Sequence, residues 1–136
     1  MRFPRGSAIG FFGMFGRSGD LRRLDDAFRA IDVHPRMVPE AVKLTIASLL
    51  REHAADAEAD AASTKAAAEI VGYCLIGGNA FAGANDADLA ADVERRIEAA
   101  LVAGTSLDAK LVLLALHAGI MQPSVRDAFQ LESADD

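Results

Sequence analysis

The 136-residue chain has the length of one domain and a formal net charge of −6. Its single cysteine, Cys74, excludes an intramolecular disulfide. The acidic balance disfavours double-stranded nucleic acid as a partner, because phosphate contacts require a basic surface. No apolar stretch reaches the roughly 20 residues that cross a bilayer. An apolar run near the N-terminus, 6–16, lacks a signal-peptidase motif after it, so we expect a cytoplasmic protein.

Alanine and leucine dominate the apolar residues, and both favour helix over strand. The sequence therefore predicts an all-α fold, a compact bundle of about six helices formed by a single domain over residues 20–131. An irregular arm rich in Phe, Gly and Arg (residues 1–19, the N-terminal arm) precedes it, and an acidic tail, 132–136, follows. Met14 is a second candidate start, which would place residues 1–13 upstream of the protein.

Helix boundaries follow from caps, prolines and glycines along the chain. Ser18 or Asp20 is the expected cap of the first helix, Asp86 of the fourth and Ser106 of the fifth, while Gly104 ends the fourth. Asp92, Glu94, Arg95, Arg96 and Glu98 are expected on the outer faces of the fourth helix. In chain order the predicted helices cover about 20–31, 39–54, 63–82, 86–104, 106–118 and 123–131.

Two predicted helices, at about 63–82 and 106–118, are apolar on nearly every side and are therefore expected at the centre, wrapped by the amphipathic ones. The first of them contains Gly77 and Gly78, which weaken a helix. We expect one continuous helix that tolerates them. The alternative is that these glycines end it and a short new helix carries Phe81.

One candidate metal site consists of His53, Asp56 and Asp60, at positions i, i+3 and i+7 on one side of a continued second helix. Imidazole and carboxylate groups suit a divalent cation. The alternative, which we favour, is a solvated acidic end of an alanine-rich helix. We therefore expect no metal and no cofactor.

Lys110 and His117 lie seven residues apart on the fifth helix, on the same face as Leu114. Two ionisable groups on one side of an apolar helix could line a pocket, where burial shifts proton affinity. The alternative is a face that reaches solvent, with the lysine extended along it. Cys74 has no base nearby in the sequence and is expected to pack in the core. No catalytic residues are assigned.

The N-terminal arm is the most distinctive segment, since Phe11, Phe12, Phe15 and Arg17 combine aromatic and cationic groups. Such groups suit a protein partner, a second copy of the chain or an anionic membrane face. The alternative is that the phenylalanines pack into their own domain. Because the sequence also lacks convergent polar groups, we expect a non-enzymatic protein-interaction or self-assembly module. The second hypothesis is a helical bundle that binds a small molecule or a divalent metal. An enzyme would belong to this second class.

Overall fold

A computed structural model describes residues 18–53 and 61–131. Within these ranges there is no strand, and the all-α prediction is confirmed. A 3₁₀ turn, Pro35–Met37, joins the first two helices. The helices are α1 (18–30), α2 (Glu40–His53), α3 (Ala61–Ile76), α4 (Gly78–Ala84), α5 (Ala87–Ala103), α6 (Leu107–His117) and α7 (Pro123–Ala128).

Helices α3 and α6 form the centre of the bundle, as predicted. α3 packs against α2, α4, α5 and α6, and α6 packs against α2, α3 and α5. Every residue of α3 from Ala67 to Leu75 is buried, which is the expected place for a helix that is apolar on all sides. α6 is less enclosed, because Leu113 is 42% exposed.

The expectation of one continuous helix over about 63–82 is wrong, because the chain breaks at Gly77. Gly77 has φ 91° and ψ 162°, a backbone conformation that is essentially restricted to glycine. A continuous helix would bond the Cys74 carbonyl to the amide of Gly78. Instead the Gln122 amide, just before α7, donates to that carbonyl at 2.8 Å. The break therefore adds a helix to the predicted six and joins α7 to the end of α3.

Two of the predicted caps are present. The Asp86 side chain accepts a hydrogen bond from the Leu89 amide, and Ser106 accepts one from Ala109. Helix α1 differs, since it is already helical at residue 18 and contains Asp20 rather than starting there. Asp20 is buried and pairs with Arg23 and with Arg51 of α2, so it joins two helices instead of capping one.

In the part of the chain that the structure describes, no single helix is both long and apolar enough to span a membrane. α5 and α6 meet that test only as a pair, and they are bent by 95° at their junction. The bend follows Gly104, whose left-handed backbone ends α5 as the sequence predicts.

Candidate binding cleft

A cleft of about 370 Å³ lies between α4, α5 and α7 (the α4–α5–α7 cleft), a volume within the usual range of ligand sites. Its polar groups come from Tyr73, Asn79, Glu94 and Ser124. The rest of its wall is made mostly of small residues, so the cleft exists because these positions carry short side chains. The small residues are Gly78, Ala82, Ala87, Ala90, Ala91 and Ala128.

Tyr73 and Glu94 form the central pair of the cleft. The Tyr73 ring is buried against Phe81, with ring centroids 5.5 Å apart. Its hydroxyl donates to Glu94 Oε2 at 2.6 Å. Burial, and then the hydrogen bond to Glu94, raises the pKa of Tyr73 above its usual value. The phenol therefore stays protonated and holds the carboxylate in one position as a fixed donor.

Among the described residues, Glu94 is the only charged one that lines the cleft, and it is half-buried. Within 18–53 and 61–131, no Lys, Arg or His nitrogen lies within 4.0 Å of its carboxylate. The next two residues differ, since Arg95 pairs with Asp92 and Arg96 pairs with Asp108 at 3.0 Å. The cleft thus presents a positioned negative charge that suits a cation or another hydrogen-bond donor.

Gly78, at the start of α4, makes room for the Tyr73–Glu94 pair. A Cβ atom at Gly78 would lie 2.6 Å from Tyr73 Oη and 3.5 Å from Glu94 Oε2. A Cβ at Gly77 would lie 3.2 Å from Ser124 Oγ, on the opposite wall. Any larger residue at position 78 would displace the tyrosine hydroxyl that fixes the carboxylate.

Sequence reasoning missed this cleft. It placed Glu94 on an outer face of its helix, whereas the carboxylate faces α4 and the buried phenol of Tyr73. The available signals were the Gly77–Gly78 pair after an apolar helix and a single tyrosine in an apolar segment. Neither identified the partner of that tyrosine, because Tyr73 and Glu94 are 21 residues apart.

Lys110 and His117 lie seven residues apart on α6, as expected, and their role in a pocket stays a prediction. Lys110 Nζ lies 3.3 Å from His53 Nε2, so it connects α6 with the end of α2. His117 is exposed at the end of α6. Neither Lys110 nor His117 lines the α4–α5–α7 cleft.

The other candidate residues are only partly covered by the structure. Of the predicted metal ligands, His53 is described, while Asp56 and Asp60 lie outside the described residues. Among the described residues, no group of three His, Cys, Asp or Glu side chains is arranged to hold a metal ion. The partner-binding residues of the N-terminal arm, Phe11, Phe12, Phe15 and Arg17, also lie outside the described residues and stay a prediction.

Cys74 is fully buried on α3, in agreement with the expectation of core packing. Burial raises the pKa of its thiol from 9.0 to about 12. The reactive thiolate is therefore disfavoured at neutral pH, and the side chain packs as a small apolar group.

These features define an all-helical domain with a polar cleft between three of its helices. When the chain is compared with protein-family models, curated proteins and solved structures, it matches none of them.

Proposed function

We propose that this chain is a non-enzymatic protein-interaction module that binds a polypeptide segment in the α4–α5–α7 cleft. The observation that carries the proposal is the Glu94 carboxylate, which the buried Tyr73 hydroxyl holds in place and which no cation accompanies in the described part of the chain. A charge that is positioned but not neutralised is a recognition element for a donor or cation on a partner.

The shape of the cleft favours a polypeptide segment over an enclosed small molecule. Asn79, Ala87, Ser124 and Ala128 line the cleft and are all exposed. Small-molecule sites usually bury about 70–90% of their ligand. An open cleft instead suits a side chain that projects from a polypeptide and is covered by the rest of that partner.

The chemistry of the site also favours binding over catalysis. The raised pKa of Tyr73 keeps its phenol protonated, so it has no basic form at neutral pH, and its hydroxyl is already engaged with Glu94. Cys74 is buried, and its raised pKa disfavours nucleophilic attack. Self-assembly and a cytoplasmic location are part of the same proposal, and only the sequence supports them. Binding of a small cationic molecule is the second candidate, and the volume of the cleft supports it.

The test fills the cleft and compares that variant with a matched change on the same helix. Ala91→Trp places an indole in the cleft, while Ala99→Trp places one on an exposed part of α5 outside it. Immobilised full-length wild type and both variants are used to capture proteins from a cell extract. Each candidate is then purified and its Kd measured. Circular dichroism checks that all three chains are folded.

We expect a partner that binds wild type and Ala99→Trp alike and binds Ala91→Trp at least about tenfold more weakly, a loss of about 1.4 kcal/mol. A second copy of the chain, detected as self-association by native mass spectrometry, counts as such a partner. If Ala91→Trp changes neither the Kd of any captured protein nor the extent of self-association, the cleft is not the binding surface and the proposal is wrong.

A further inference from the structure

We infer that the occupant of the α4–α5–α7 cleft is the chain's own N-terminal segment, residues 1–17, with an arginine of that segment bound to the Glu94 carboxylate. The inference rests on the proposed function and names its partner. It applies to the segment of the same chain or of a second copy, because both present the same groups.

The charges of the segment and of the cleft are complementary. Residues 1–17 contain three cations, Arg2, Arg5 and Arg17, and no acidic residue. Residues 61–131, which form the cleft, carry eight acidic residues against five cations. Of the described cations, none lies within 4.0 Å of Glu94. The segment therefore supplies the charge that the cleft lacks.

The chemistry of Glu94 favours arginine in particular. Oε2 accepts the Tyr73 hydroxyl at 2.6 Å, and the other carboxylate oxygen, Oε1, has no hydrogen-bond donor among the described residues. A guanidinium group is planar, stays charged and donates to carboxylates in a defined direction. It can donate to Oε1 without displacing the phenol.

The apolar part of the segment fits the remaining wall. Residues 1–17 include Phe3, Phe11, Phe12 and Phe15, whose rings would be costly to leave in water. The cleft is lined by five alanines and one glycine, so it leaves space where larger side chains would otherwise pack. A phenylalanine beside the bound arginine would cover this alanine surface.

The segment is also long enough. Helix α1 follows it directly, and the C-terminal end of α1 lies beside α4, because Asn85 Nδ2 donates to the Ile31 carbonyl at 3.1 Å. The 13 residues of α1 span about 20 Å. Seventeen extended residues span up to about 55 Å, so the segment can return along α1 and reach the cleft.

The experiment measures paramagnetic relaxation in the full chain. Ser7→Cys is labelled with a nitroxide, and Cys74 stays unlabelled because it is buried with a raised pKa. The paramagnetic broadening of the amide NMR signals of Asn79, Ala91 and Ser124, in the cleft, is measured. It is compared with the broadening of the amide signal of Thr45 on α2. The labelled chain is prepared with and without Glu94→Gln. Glu98→Gln, an exposed change on the same helix, is the control.

We expect broadening at the cleft amides well above that at Thr45, lost in Glu94→Gln and retained in Glu98→Gln. The Glu94→Gln side chain keeps an oxygen for the Tyr73 hydroxyl but loses the charge, so the loss of broadening reports on the cation. Mixing ¹⁵N chains without nitroxide with nitroxide-labelled ¹⁴N chains shows whether the segment binds within one chain or between copies. Replacing Arg2, Arg5 and Arg17 singly by Gln identifies the bound arginine.

Two results overturn the inference: equal broadening at the cleft and at Thr45, or cleft broadening that Glu94→Gln leaves intact. If either occurs while Ala91→Trp still weakens a different partner, the proposed function stands and only its occupant is wrong. If Ala91→Trp also has no effect, both the proposed function and this inference fail.

Discussion

The thiol of Cys74 lies inside the bundle because α3 is enclosed by four other helices. Its exposed fraction is 0%, and burial raises the pKa of the thiol from 9.0 to about 12. The folded chain therefore keeps a proton that the unfolded chain releases above pH about 9. The resulting stabilisation is complete below that pH and is lost progressively as the pH rises from about 9 to 12.

We predict that Cys74→Ala flattens this part of the pH profile. Between pH 9 and 12 the unfolding free energy of wild type should fall by about 1.4 kcal/mol per pH unit more steeply than that of Cys74→Ala. Urea unfolding at pH 7, 9, 10 and 10.5 measures both slopes. Tyr73, whose pKa is raised mainly by burial and by Glu94, is present in both chains, so those contributions are common to both profiles. Parallel profiles above pH 9 would contradict the assignment.

At the scale of elements, the break between α3 and α4 combines a backbone requirement with a steric one. Gly77 needs its positive φ, and Gly78 needs the absence of a Cβ beside Tyr73. Gly83, on the same short helix, has no heavy atom within 4 Å of the place where a Cβ would lie. Gly78 begins α4 and Gly83 lies near its end, so the two helical glycines can be compared for the effect of their surroundings.

We predict opposite effects of alanine at these two positions. Gly83→Ala should raise the unfolding free energy, by up to about 0.5–1 kcal/mol, which is the gain in the middle of a helix. Gly78→Ala should lower it, because the new Cβ displaces the Tyr73 hydroxyl from Glu94. In a Tyr73→Phe background the clash with Oη is gone, so the penalty of Gly78→Ala should shrink. Urea unfolding of the four variants checks this, and equal penalties in both backgrounds would refute it.

At the scale of the whole molecule, Arg96 connects three helices. From α5 its guanidinium donates to Glu69 Oε1 at 3.3 Å and to the Ala66 carbonyl at 2.9 Å, both on α3. It also donates to Asp108 of α6, at 3.2 and 3.0 Å. Glu69 is only 8% exposed, and its other cation, Lys65, is 3.9 Å away. Arg96 therefore neutralises a buried carboxylate at the centre of the bundle.

We predict that Arg96→Leu lowers the unfolding free energy by about 2–3 kcal/mol, because it leaves Glu69 buried with a distant partner. Arg95→Leu is the control. Its pair with Asp92 is exposed, so the change should stay within about 0.5 kcal/mol. Adding Glu69→Gln to Arg96→Leu should recover part of the loss. Denaturant unfolding distinguishes these outcomes, and equal effects of the two arginine changes would argue against a structural role for Arg96.

Features that depend on neighbours in sequence were predictable. Helix composition, the caps at Asp86 and Ser106, and the stop at Gly104 all follow from interactions within three or four residues of the chain. The two central helices followed from their lack of a polar face. These local signals were enough to determine an all-α bundle with two helices at its centre.

The cleft depends on contacts between distant residues, and only the tertiary structure decided it. Because the helix breaks at Gly77, the Cys74 carbonyl accepts a hydrogen bond from the Gln122 amide instead of from its own helix. No local sequence pattern predicts that Gln122 lies there. Glu94 occupies a helix position that suits solvent, and only the packing of α5 against α4 brings it to Tyr73. Sequence periodicity places a side chain on a helix face, but which neighbour covers that face depends on how the helices pack.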